Sequence, residues 1–64
     1  MNKYRVNLHP AEGQSDYKEL KANCACEAAE LALFDSYLPM GIIDVIVENP
    51  DTRIITEFRL SKLR

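Results

Sequence analysis

The chain has 64 residues, with 8 Lys and Arg against 10 Asp and Glu, so its formal net charge is −2 when the single histidine is neutral. Apolar residues make up 47% and charged residues 28%, which is typical of a globular chain and excludes a collagenous or disordered one. This length predicts a single domain over residues 1–64 with a small hydrophobic core. It excludes a two-domain enzyme with a large buried active site.

Membrane insertion and export are not expected. No apolar run approaches the roughly 20 residues that a spanning helix needs, and the opening residues from Met1 to Val6 lack the apolar segment of a signal peptide. We therefore expect a cytoplasmic chain. Its slightly acidic balance also disfavours generic binding to nucleic acid through phosphate contacts.

The first predicted element is a strand over residues 3–9. Its apolar residues Tyr4, Val6 and Leu8 alternate with polar ones, which is the pattern of a half-buried strand. Pro10 should end it, and a polar loop should follow.

Residues 17–38 allow two interpretations. One is a single long helix that Asp16 caps. The other is a strand over residues 17–23 followed by a helix over residues 24–37, with Asn23 as the N-cap. We favour the second because it gives the first strand a partner close in sequence.

Cys24 and Cys26 lie at the start of this helix. A disulfide across so short a loop would constrain almost nothing, and a small exported domain usually has more cysteines. A metal site needs more ligands than this pair supplies, and His9 is distant in sequence. We expect part-buried structural thiols in a reducing compartment, with no metal and no cofactor.

The C-terminal half predicts a β-hairpin. Residues 39–41 should end the helix, residues 42–48 and 53–60 read as strands, and residues 49–52 form the turn between them. Residues 61–64 are expected to fray.

A symmetric turn over residues 49–52 predicts the register of this hairpin. The pairs on one face would be mainly apolar: Val47 with Ile54, Val45 with Thr56, Ile43 with Phe58, and Gly41 with Leu60. The pairs on the other face would be Glu48 with Arg53, Ile46 with Ile55, Asp44 with Glu57, and Ile42 with Arg59. The first face should pack under the helix, whose alanines permit close approach.

These elements predict an α+β fold with two layers, in which one helix packs on a small antiparallel sheet. The order is ββαββ, or βαββ if residues 17–23 are helical.

The charges suggest a candidate partner interface. Residues 24–52 carry six acidic residues and no Lys or Arg. If they converge, they form an acidic face that meets a basic partner; otherwise they are ordinary solvated charges. The six are Glu27, Glu30, Asp35, Asp44, Glu48 and Asp51.

A second candidate surface is the outer face of the sheet. Ile42, Ile46 and Ile55 should lie there, and β-branched residues on an exposed face are typical of a self-association surface. The strand over residues 42–48 is also a candidate sheet edge, which would invite edge-to-edge pairing.

No catalytic constellation stands out. Asp44 and Glu57 should oppose each other on an open face, not in the buried setting that a pair of carboxylates needs for general acid–base catalysis. The chain has one histidine and no glycine-rich phosphate loop. We expect a chain that is not an enzyme.

The segment from Leu20 to Leu33, followed by a hairpin over residues 42–60, resembles the layout of small phage-encoded proteins. Anti-CRISPR inhibitors with one helix on an antiparallel sheet are among them. The resemblance implies a non-enzymatic inhibitor that docks on a host nucleoprotein complex.

The leading hypothesis is therefore a small non-catalytic binding protein that docks on a macromolecular partner through an acidic face. One alternative is a homodimeric structural or accessory module that associates through the outer sheet face. The second alternative is a weak nucleic-acid binder that uses the basic C-terminal strand and tail, with Arg53, Arg59, Lys62 and Arg64.

Overall fold

A computed structural model describes residues 1–63. Its elements in chain order are β1 (Asn2–Pro10), β2 (Asp16–Ala22), α1 (Ala25–Phe34), β3 (Gly41–Asn49) and β4 (Ile54–Lys62). One helix packs on one face of a four-stranded antiparallel open sheet, so the predicted two-layer ββαββ fold is confirmed. We call the face toward α1 the inner face and the other the outer face.

The strands lie in the order β2-β1-β3-β4. Residues 17–23 therefore belong mainly to a strand, and the long-helix alternative is wrong. The expectation that residues 42–48 form a sheet edge is also wrong, because β3 pairs with β1 on one side and β4 on the other. The edges are β2 and β4.

The core lies between the inner face and α1. Tyr4, Val6 and Leu8 are buried, as their alternation predicts. Three helical alanines complete the contact, and their small side chains let the helix approach the sheet closely. The buried apolar residues are Tyr4, Val6, Leu8, Ala22, Ala28, Ala29, Ala32, Ile43, Val45 and Val47.

The helix begins one residue later than predicted. Cys24, not Asn23, is the N-cap, and its Sγ accepts a hydrogen bond from the backbone N–H of Glu27 at 3.5 Å. Asn23 instead donates its backbone and side-chain N–H groups to the Glu27 carboxylate, at 3.4 and 3.3 Å. The glutamate thus reaches back over the helix start much as it does in a capping box.

The helix also ends earlier than predicted, at Phe34 rather than residue 37. The Ser36 hydroxyl donates to the Leu33 carbonyl at 2.8 Å. The Lys62 ammonium then donates to the carbonyls of Ser36 and Leu38, at 2.6 and 2.8 Å. These hydrogen bonds provide donors for carbonyls at the end of α1 and in the loop after it. They also hold this loop against β4.

β4 also extends beyond its predicted end, because Ser61 and Lys62 pair with Ile42 and Gly41 of β3. Residues 61 and 62 were expected to fray, yet they belong to β4, which runs to Lys62. Of the predicted tail, Arg64 lies outside the described residues.

The predicted register of the β3–β4 hairpin is wrong by two residues. Asn49 faces Ile54, so the turn occupies residues 50–53. Arg53 adopts a left-handed conformation with a φ of 62°, and its N–H donates to the Asn49 carbonyl at 2.7 Å. The Asn49 side chain also accepts the N–H of Asp51 at 3.0 Å. An asparagine that caps its own turn therefore moves the turn one residue along the chain.

A shift of two residues keeps every side chain on its predicted face but changes the cross-strand partners. On the inner face, the pairs are now Val47 with Thr56, Val45 with Phe58, Ile43 with Leu60, and Gly41 with Lys62. On the outer face, they are Glu48 with Ile55, Ile46 with Glu57, Asp44 with Arg59, and Ile42 with Ser61. The predicted opposition of Asp44 and Glu57 is therefore replaced by an attractive pair.

Two adjacent isoleucines of β3 test this assignment of faces. Ile43 is fully buried, whereas Ile42 is 54% exposed. We expect Ile43→Ala to lower the free energy of unfolding by about 2–5 kcal/mol, because it leaves a cavity in a thin core. Ile42→Ala should cost less than about 1 kcal/mol. Urea denaturation of both variants measures the difference, and equal losses would show that the faces are assigned wrongly.

Candidate docking surface

The six acidic residues of the candidate interface lie on different parts of the molecule. Glu27 and Glu30 belong to α1, and Asp35 follows its last residue. The other three are Asp44 and Glu48, on the outer face of β3, and Asp51, in the β3–β4 turn. The structure does not bring the six together on one surface, because the sheet separates the helix from the outer face.

Three of these acids are also paired with cations. Asp35 contacts Lys18 at 3.8 Å, Asp44 contacts Arg59 at 2.9 Å, and Glu48 contacts Arg5 at 3.9 Å. Exposed pairs of this kind contribute little to stability, but they reduce the charge available to a partner. Of the six acidic residues, Glu27 and Glu30 are the two that lie together on α1 and form no ion pair within residues 1–63.

The outer face carries charged residues with single apolar residues between them. Ile42 and Ile55 are 54% and 61% exposed, and Ile46 is half-buried. Ile46 and Ile55 are diagonal neighbours across β3 and β4, but the ion pair of Asp44 and Arg59 separates Ile42 from them. The three predicted self-association residues therefore do not form one continuous apolar patch.

A hydrogen bond that the sequence did not predict joins His9 and Ser15. The Nδ1 atom of His9 lies 2.8 Å from the Ser15 hydroxyl, just beyond the last pair of the β1–β2 ladder. Asp44 faces His9 from β3, yet its carboxylate accepts a hydrogen bond from Nε of Arg59 at 2.9 Å. That bond raises the pKa of Arg59. The carboxylate that could orient the imidazole is thus already engaged by the guanidinium.

Both thiols are exposed and free, so the expectation that they are part-buried is wrong. Cys24 serves as the helix cap, and Cys26 donates its thiol to the Glu30 carboxylate at 3.4 Å. This hydrogen bond, together with the nearby negative charge, raises the pKa of Cys26 because both disfavour the thiolate. Within residues 1–63, no group of three or more His, Cys, Asp or Glu residues is placed to hold a metal ion.

Exposed apolar side chains lie together between the C-terminal end of α1 and β4. We call this the α1–β4 groove; its apolar lining is Leu33, Phe34, Leu60 and Leu63, with Glu30 and Lys62 beside it. Phe34 is 91% exposed and Leu63 is 80% exposed.

The groove stays open for two structural reasons. Phe34 follows Ala32 by two residues, so it lies about half a turn around the helix from the buried alanines. Leu60 is on the inner face of β4 but only half-buried, because β4 is the last strand of the described sheet. Sequence reasoning missed this site, although the alanine stripe alone places Phe34 away from the packed face.

The backbone at the free edge of β4 is available as well. The Ile42 carbonyl accepts from Ala11 and thus points toward β1, whereas the Asn49 carbonyl accepts from Arg53 and points toward β4. These directions alternate along β3, so its odd-numbered residues direct their N–H and C=O groups toward β4. They face even-numbered residues of β4, which therefore bond back to β3. The odd-numbered residues of β4 direct their N–H and C=O groups away from β3. They are Ile55, Glu57, Arg59 and Ser61.

Comparison of the chain with protein families, characterised proteins and solved structures finds no match. In the part of the chain that the structure describes, α1 is too short to cross a bilayer. The features of the described residues that bear on function are the groove, the β4 edge and the charges around them.

The Cys26–Glu30 contact can be tested by thiol alkylation in a Cys24→Ser background. Glu30→Gln removes the carboxylate that accepts the thiol proton, so the pKa of Cys26 should fall and iodoacetamide should react at lower pH. Asp35→Asn serves as the control because it removes an acid that does not contact Cys26. An unchanged pH profile for Glu30→Gln would contradict the contact.

Proposed function

We propose that this chain is a small non-catalytic binding protein that docks on a protein partner through the α1–β4 groove and the adjoining edge of β4. The observation that carries the proposal is the exposure of Phe34 and Leu63 beside Leu60. A contiguous apolar surface on a small domain is typical of an interaction site, whereas isolated exposed residues are not.

The β4 edge adds a second mode of contact to the same site. Within residues 1–63, its nine residues have no neighbouring strand on the side away from β3. An extended segment of a partner can pair with such an edge through main-chain hydrogen bonds while side chains enter the adjacent groove. Backbone pairing supplies affinity in this mode, and the groove supplies selectivity.

The charges favour protein over nucleic acid as the partner. Two cations of the basic C-terminal strand already have partners within the chain: Arg59 binds Asp44, and Lys62 binds the carbonyls of Ser36 and Leu38. Glu30 lies beside the groove and would repel phosphate there.

The acidic helix surface can assist docking on a basic partner. Glu27 and Glu30 lie on the layer that contains the groove, so they would steer a positively charged protein toward it. A host nucleoprotein complex is one such partner, and the resemblance to phage-encoded inhibitors favours it. The two free thiols support a reducing, cytoplasmic setting for this interaction.

Substitution of Phe34 tests the proposal. Phe34→Ser should abolish capture of the partner by the tagged chain from nuclease-treated host lysate, because it removes the apolar side chain that projects most from the groove. Tyr37→Ser is a matched control, since Tyr37 is fully exposed and does not line the groove. Circular dichroism should show both variants folded. Equal capture by both variants would contradict the proposed surface.

A further inference from the structure

We propose that the occupant of this docking site is a second copy of the chain, which pairs its β4 antiparallel to the first β4 about a two-fold axis at Phe58. The inference rests on the proposed function, because it uses the same groove and edge, where a second copy would compete with the basic partner proposed above. The resulting dimer would contain one continuous eight-stranded sheet, with both helices on the same side.

The direction of the backbone groups allows this pairing. Two-fold symmetry about Phe58 places Glu57 of each copy opposite Arg59 of the other. Both residues are odd-numbered, so both direct their N–H and C=O groups toward the new neighbour. Glu57 and Arg59 then form a hydrogen-bonded pair of the ladder, while the two Phe58 residues form the closer, non-hydrogen-bonded pair at the axis.

Charge complementarity selects this register. Glu57 faces Ile46 within its own sheet, and within residues 1–63 it forms no ion pair. Arg59 donates its Nε–H to Asp44, and the other N–H groups of its guanidinium remain to donate to Glu57 of the second copy. The pairing therefore adds two attractive cross-strand contacts, one on each side of the axis.

Neighbouring two-fold registers lack these contacts. With the axis at residue 57, Glu57 opposes Glu57 of the second copy. With the axis at residue 59, the two Arg59 side chains oppose each other. Like charges directly opposite are destabilising, so the sequence of β4 disfavours both alternatives.

The inner-face side chains are also compatible with this arrangement. Thr56 would oppose Leu60 of the second copy, and Ile54 would oppose its Lys62. Ile54 is 63% exposed in the single chain, and this position sets it beside the part of the groove formed by Leu60 and Leu63. The second copy would thus cover exposed apolar groups on both chains.

The other sheet edge lacks this complementarity. β2 is two residues shorter than β4 and carries Asp16, Lys18, Glu19 and Lys21 among its seven residues. A short edge rich in charge is a common protection against pairing. The edge available for self-association is therefore β4.

Two charge reversals test the register. We expect the wild-type chain to show a concentration-dependent dimer in sedimentation velocity between low micromolar and millimolar concentration. Glu57→Arg and Arg59→Glu, each alone, should weaken this dimer by about tenfold or more, because each creates two like-charge contacts. An equimolar mixture of the two variants should form a heterodimer, since both contacts beside the axis then join an arginine of one variant to a glutamate of the other.

The controls separate pairing from net charge and from unfolding. Glu12→Arg and Lys21→Glu make the same changes in charge away from β4 and should dimerise like the wild type. Arg59→Glu also removes the ion pair with Asp44, so thermal unfolding must show that it is folded. Glu57→Arg breaks no ion pair within residues 1–63 and remains informative by itself.

A wild-type chain that stays monomeric at millimolar concentration would overturn the inference. So would a dimer that Glu57→Arg leaves unchanged, because self-association would then use another surface. If the chain is monomeric but Phe34→Ser still abolishes capture of another protein, the proposed function stands and only the identity of its partner is wrong. If Phe34→Ser has no effect on either interaction, the groove itself is wrong.

Discussion

The turn between β3 and β4 is the constraint on which the candidate site depends. Asn49 accepts backbone N–H groups with both its side chain and its carbonyl, and Arg53 closes the turn in a left-handed conformation. This geometry sets the register of β4 against β3. It places Arg59 opposite Asp44 and leaves Glu57 opposite an isoleucine. A turn one residue earlier would instead oppose the carboxylates of Asp44 and Glu57 and leave Arg59 opposite Ile42.

The asymmetry between the two sheet faces follows from the single helix. Alanines let α1 lie close to the centre of the sheet, where β1 and β3 supply the fully buried side chains. The same close approach leaves Phe34 outside the contact and the inner face of β4 only half covered. Lys62 ties the loop after α1 to β4, so the groove has a defined shape at that end. The outer face, by contrast, is occupied by exposed ion pairs.

Periodicity in the sequence predicted the two-layer architecture and the buried face of β1, because alternation of apolar and polar residues indicates burial directly. It left residues 17–23 open between strand and helix, and the strand was favoured because it gives β1 a partner close in sequence. It could not resolve the cap or the turn, where Cys24 and Asn49 act through single hydrogen bonds. It also could not show that the acids of residues 24–52 divide between two layers, since proximity in sequence does not determine which side of a sheet a residue occupies. Phe34 was missed for a different reason: its exposure follows from its position relative to the buried alanines of α1, and only the structure shows which helical residues face the sheet.

Binding of another chain at the free edge of β4 is tested most directly by amide hydrogen exchange, read residue by residue at low and high concentration. We expect the outward-directed amides of Ile55, Glu57 and Arg59 to exchange rapidly in dilute solution and to become protected as concentration rises. The outward amides of β2 should not change. Protection that appears on β2, or amides of β4 that exchange equally fast at every concentration, would contradict this.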